Sequence, residues 1–136
     1  MSSVLTASRW LKERLAGDAT LATMSGGRVY LNSAPAGAAF PYIILRQMNC
    51  DLLRGVGRAV IWWDEVWLVK AVTQSGNLGD LEALANRIRE VLEAASGATA
   101  NGTVVGCQEE KPIQYEEVEN GVTYQHLGFN FRIYTQ

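Results

Sequence analysis

Apolar residues recur at helical spacing near the start of the chain. Val4, Ala7, Leu11 and Leu15 form one stripe, Leu5 and Trp10 widen it, and Lys12, Glu13 and Arg14 take the other side. The spacing predicts a helix over Val4–Ala16, capped by Ser2 or Ser3 and stopped by a left-handed Gly17. From Asp18 to Pro41 the periodicity gives way to Ala, Gly and Ser, with Pro35 and Pro41 as breakers. Only Arg28–Leu31 reads there as a short strand, so a long connection is expected, functional or packed down by its own side chains.

Two strands follow, Tyr42–Met48 and Arg58–Thr73, joined by a loop over Asn49–Gly57. The second is apolar on both faces: Ile61, Trp63, Trp67 and Val69 at odd positions, Val60, Trp62, Val66 and Leu68 at even ones. A strand with one face in water alternates instead, so both faces of this sheet are expected to be covered. Leu81, Leu84, Ala85, Ile88, Leu92 and Ala95 predict a second helix over Leu78–Ala95, with Asn77 and Asp80 as a weak capping pattern and Gly97 closing it. The C-terminal segment predicts a hairpin. Asn120-Gly121 supplies the two positive-φ turn residues, and Leu127, Phe129, Phe131 and Ile133 alternate with Gly128, Asn130 and Arg132 along a strand from Val122 to Tyr134. Its partner runs back from Glu119 to about Val104, bent at Pro112. The expected architecture is α+β in the order α-β-β-α-β-β: a mainly antiparallel four-stranded sheet with two helices packed on one face, in one domain over residues 1–136. Two helices cover one face of such a sheet. The second apolar face then needs the long loop or another subunit, which points to a chain built to assemble.

Composition narrows the class. With 136 residues, 48% apolar and 19% charged, the chain suits a packed core and not a disordered, collagenous or coiled-coil protein. Apolar runs such as Val60–Trp63 are far short of the ~18 residues of a membrane span. No basic-then-apolar leader opens the sequence. Cys50 and Cys107 form neither a metal spacing nor a disulfide framework, which fits a reducing, cytoplasmic origin. The net charge of −2 hides an asymmetry. Met1–Val60 carries seven basic and three acidic residues, whereas Ile61–Gln136 carries five basic and eleven acidic ones. Such a split lets the basic region of one copy face the acidic region of another, or leaves two solvated surfaces of opposite sign.

The sequence carries no motif that assigns a catalytic, cofactor-binding or metal site. His126 is the single histidine, too few for a two-histidine metal site within one chain, and no serine lies in a nucleophile elbow. It is expected to be a satisfied or surface histidine, and the two cysteines to be packing residues. Arg54-Gly55-Val56-Gly57-Arg58 has the glycines of an anion loop but leads into a strand, where phosphate loops lead into a helix. Glu109, Glu110, Glu116, Glu117 and Glu119 surround Lys111 on the C-terminal hairpin, a pattern that suits a carboxylate metal site but more commonly a solvated face or a polar interface. Trp62, Trp63 and Trp67 suit a core or a subunit interface. The candidate interface residues are therefore Trp62, Trp63, Trp67, Arg54, Arg58, Glu116, Glu117 and Glu119.

The order of short motifs carries a resemblance. Trp10-Leu11-Lys12-Glu13-Arg14-Leu15, then Gly27-Arg28-Val29-Tyr30, then Ala34-Pro35 through Phe40-Pro41-Tyr42-Ile43-Ile44 resemble the small tail-completion proteins of tailed bacteriophages. The downstream helix and the closing strand of alternating aromatics extend the likeness over nearly the whole chain. The resemblance implies a non-enzymatic virion protein of the tail-terminator or head–tail joining type, with a mixed α/β fold and no catalytic residues. It implies a hexameric ring that caps the tail tube, with the tail tube protein and a head–tail connector protein as partners and DNA passing through transiently. The location implied is the neck of the virion tail, after assembly in the host cytoplasm, with no membrane and no cofactor. The alternatives are a head-proximal connector subunit and, from another class, a small enzyme or ligand-binding domain with a Trp-lined pocket.

Overall fold

The computed structural model describes residues 4–75 and 77–136. It holds α1 (Thr6–Ala16), α2 (Ala19–Ser25), β1 (Val29–Leu31), β2 (Tyr42–Arg54), β3 (Val60–Thr73), α3 (Glu82–Leu92), β4 (Gly97–Thr99), β5 (Gly102–Glu119) and β6 (Val122–Thr135). The strands form one mixed sheet in the order β1-β2-β3-β6-β5-β4, with β1 parallel to β2 and the other pairs antiparallel. The expected four-stranded antiparallel sheet with two helices is thereby corrected, among the described residues, to a mixed sheet of six strands with three α-helices. The extra elements are short. β1 and β4 have three residues each and α2 has seven, too few to display a period.

Capping and tertiary contact hold α2 where periodicity is silent. The Asp18 carboxylate accepts from the Leu21 backbone N–H at 3.0 Å and from Arg87 of α3 at 2.7 and 3.0 Å. The Arg87 hydrogen bond is the main force lowering the Asp18 pKa below the usual carboxylate value. A lowered carboxylate pKa adds stability above the unfolded-state value, and that stability is lost as pH falls through the folded one. Asp18→Ala is expected to lower stability by ~1 kcal/mol through the lost cap alone, read as a shift of the urea midpoint at neutral pH, with the difference from the parent vanishing in acid.

Three boundaries differ from expectation. Gly17 is right-handed (φ −82°) and leads directly towards α2, whose own C-cap, Gly26, is the left-handed residue. The second helix begins as a 3-10 turn over Leu78–Leu81 and ends at Leu92, with Ala94 at positive φ, so Gly97 belongs to β4. The Ser2 and Ser3 caps lie outside the described residues. β5 runs through Pro112 without ending. Among the described residues β5 has no second neighbour beyond β4, so a proline lacking its N–H sits on an edge, next to a bulge between Glu109 and Lys111.

All three helices contribute to a single apolar cluster. Leu11, Leu15, Leu21 and Ile88 meet Leu45, Val69, Phe131 and other inward residues of the sheet. On the opposite face Ile44, Leu68 and Val72 are also buried. Part of that face lies beside segment 32–41, whose Phe40 ring packs against Tyr42 at 5.2 Å and Tyr124 at 5.9 Å. Arg28 anchors the segment by donating to the carbonyls of Pro41 (3.1 Å) and Phe40 (3.3 Å).

Candidate functional site

The long strands overrun their neighbours, and this creates two arms. β3 pairs with β6 only between Trp63 and Thr73, so the β2–β3 hairpin continues past the end of β6 as a two-stranded arm. β6 pairs with β3 only from Gln125 onward, so the β5–β6 hairpin projects beyond the other end. The antiparallel register puts the two tips at opposite ends of one sheet.

The β2–β3 arm is apolar on both faces. A bulge between Gln47 and Asn49 resets the register so that Leu52 pairs with Trp63 and Leu53 with Trp62. Met48, Leu52, Leu53, Val60, Ile61 and Trp62 are all exposed. The segment expected to be a loop from Asn49 is therefore strand as far as Arg54. At its tip Gly55 N–H donates to Ala59 O at 2.7 Å, Gly57 and Arg58 take positive φ, and the Val56 side chain stands free in solvent. Arg54 donates to the Arg58 carbonyl at 2.9 Å. Among the described residues, neither the Arg54 nor the Arg58 guanidinium meets a carboxylate.

The β5–β6 arm is acidic. Glu116 accepts from Gln125 at 2.9 Å, while Glu117 and Glu119 lie on the wall of a groove of about 750 Å³ between this arm and segment 34–40. Pro35, Ala36, Phe40, Val72 and Val122 give the groove apolar lining, and Gln74 and Asn120 add amides. Burial raises the Tyr42 phenol pKa, with further contributions from Tyr124 and Glu117. His126 is neither the surface nor the satisfied histidine expected. It is buried in the groove lining, stacked on Tyr115 with ring centroids 4.3 Å apart, and both ring nitrogens lack a partner among the described residues. Burial first, then Lys70, pushes its pKa down to about 4, so the ring is neutral at pH 7.

The three tryptophans separate. Trp67 is 3% exposed in the core, with its indole N–H donating to Glu65 at 3.1 Å. Trp63 is half-buried, and Trp62 is 38% exposed on the opposite face beside Tyr134. The arginines and glutamates proposed as contacts are not brought together within one chain. Val56 and the groove formed by segment 34–40 escaped the sequence reading. Val56 had a signal, an apolar residue at a Gly-flanked turn, whereas segment 34–40 had no periodic one. Among the described residues no group of His, Cys, Asp and Glu is placed to hold a metal ion, and no helix is long and apolar enough to cross a membrane. Burial pushes the Cys107 thiol up to about 12 and raises that of Cys50, so neither is primed as a nucleophile.

Comparison with solved structures gives a fold match. A chain of the structure entitled "Virion of native gene transfer agent (GTA) particle" superposes with a TM-score of 0.71, covering 92% of this chain and 90% of that one at 19% identity. At that identity the likeness speaks for the fold. No curated protein matches the sequence. Residues 10–136, nearly the whole chain, match the family described as tail completion protein gp17. The chain belongs to that family of phage tail structural proteins.

Proposed function

We propose that this protein closes the head-proximal end of the tail tube as a hexameric ring and joins the tail to the head, without catalysing a reaction. The observation that carries the reading is the family match over residues 10–136. The shape of the sheet supports it. Two arms projecting from opposite ends, one basic and one acidic, suit a subunit that meets different surfaces on either side. In this reading the ring meets the last ring of the tail tube protein on one face and a connector protein on the other, and DNA passes through its centre. Trp62, on the arm beyond β6, and Trp63, at the arm's root opposite Thr135, are proposed interface residues together with Arg54, Arg58, Glu116, Glu117 and Glu119. Trp67, buried in the core, is not proposed as a contact. The protein would assemble in the host cytoplasm and remain in the virion neck.

Deleting the gene tests the reading. Electron microscopy of lysates is expected to show overlong tails or tails unjoined to full heads. Normal, head-attached tails in the deletion strain would overturn it.

A further inference from the structure

The two arms carry complementary features that one chain cannot use on itself. The basic tip presents Val56, fully exposed, between Gly55 and Gly57 and flanked by Arg54 and Arg58. The groove beside the acidic arm is lined by Pro35, Ala36, Phe40, Val72 and Val122, with Glu117 and Glu119 on its wall. Among the described residues, neither of those carboxylates is ion-paired, and neither of those guanidiniums is. The His126 ring, buried and stacked on Tyr115, also belongs to the groove lining.

We propose that the Arg54–Arg58 tip of one copy seats in the Glu117/Glu119 groove of the next, with Val56 against the apolar lining and the two arginines facing the two glutamates. The occupant of the groove is thus a second copy of this chain. Because tip and groove lie at opposite ends of one sheet, the contact is head-to-tail, and every subunit gives one tip and receives another. Such a heterologous joint closes into a ring or runs on as a filament according to the rotation between copies. The inference rests on the ring reading above and deepens it by naming the joint.

The apolar seat and the charges have separate tasks. Val56 is small and its flanking glycines leave no side chains in the way, so the tip enters as a narrow wedge. The arginines draw the tip to the side of the groove that carries Glu117 and Glu119. Paired charges at a rim also steer the approach and make association sensitive to salt.

The test is disulfide trapping with the full chain in a Cys50→Ser background. A Val56→Cys chain is mixed at high concentration with an Ala36→Cys chain of different mass and mildly oxidised. The expected result is a heterodimer well in excess of either homodimer, and a ladder of higher oligomers when one chain carries both cysteines. Arg54→Glu/Arg58→Glu in the Val56→Cys chain is expected to reduce the heterodimer about tenfold. Glu117→Arg/Glu119→Arg in the partner should restore it. A heterodimer no more abundant than the homodimers, or one indifferent to charge reversal, overturns the joint. So does loss of duplex-DNA retention by the arginine variant with unchanged trapping, which would make the tip a DNA contact. Rings or capped tails assembled from the cysteine variants in which Val56→Cys and Ala36→Cys fail to cross-link sink the joint alone, whereas unaltered tails in the deletion strain sink the ring reading itself.

Discussion

Gly128→Ala is expected to destabilise the protein by about 3 kcal/mol, although it adds a single methyl group. Gly128 lies in β6 opposite Lys70 of β3 and Ile113 of β5, near the middle of the sheet. A Cβ there would overlap the Val69 carbonyl oxygen and the Lys70 Cα, which are backbone atoms with no rotamer to adopt. The adjoining strands would have to separate, and the ladders that tie the two halves of the sheet run through them. Gly121→Ala provides the contrast. That residue has φ +75° in the hairpin turn, and a Cβ would meet nothing within 4 Å. Its cost is confined to backbone strain of ~1 kcal/mol. Urea unfolding of both variants separates the mechanisms, with a much larger midpoint shift at position 128. Equal shifts would mean that the strands yield and the close approach carries no weight.

The contrast also shows what the chain discloses about itself. The turn glycine is legible, because Asn120-Gly121 demands positive φ at both residues and takes it, at 51° and 75°. Gly128 reads as one more small residue on the outward-facing positions of an alternating strand, since its reason lies in a strand more than fifty positions away. The same division runs through the elements. β3 and β6 follow from long, strongly patterned segments. α2 depends on an ion pair between Asp18 and Arg87, 69 positions apart, and β1 and β4 on edges that other strands supply. The β2 extension was hidden by Asn49, Asp51 and Arg54, polar residues that read as loop but here stand on a solvated edge strand, where charge discourages unwanted pairing.

For the site, charge was the legible part and shape was not. Counting charges along the chain separates a basic half from an acidic one, and the arginines and glutamates singled out that way lie on the two arms. Which tryptophan is buried depends on strand parity. Since β3 is apolar at odd and even positions alike, nothing in its own sequence says that Trp67 faces the helices and Trp62 does not. The groove is formed by segment 34–40, whose Ala, Gly and Pro residues carry no period, and its place beside the acidic arm comes from Arg28 and the Phe40 ring contacts.

Where the basic arm leaves the sheet, a buried carboxylate holds its base. Glu65 is fully buried. Its Oε1 accepts from Gln47 at 2.8 Å and from the Trp67 indole at 3.1 Å, and its Oε2 from the Thr135 hydroxyl at 3.2 Å. One side chain thus ties β2 at its bulge, β3, and the last residue of β6. Burial raises its pKa above the ordinary value, against the three hydrogen bonds that lower it. The folded protein therefore holds this proton more tightly than the unfolded chain. Glu65 makes its best contribution below the unfolded pKa, and stability is lost as pH rises towards the folded one. Glu65→Gln keeps an acceptor for Gln47 and Trp67 and turns its amide donor towards the Thr135 oxygen. It is expected to be at least as stable as the parent at neutral pH and to flatten the pH dependence in that window. Glu65→Leu leaves the indole and amide donors without an acceptor and should cost roughly 2–4 kcal/mol. Because the lost bonds converge at the root of the β2–β3 arm, the leucine variant should also lose assembly under conditions where it remains folded. Urea midpoints across the acidic-to-neutral range, measured beside disulfide trapping of the Val56→Cys and Ala36→Cys pair, check both effects. A glutamine variant as damaged as the leucine one, with the parental pH slope intact, would show that the carboxylate is held as an anion the fold requires.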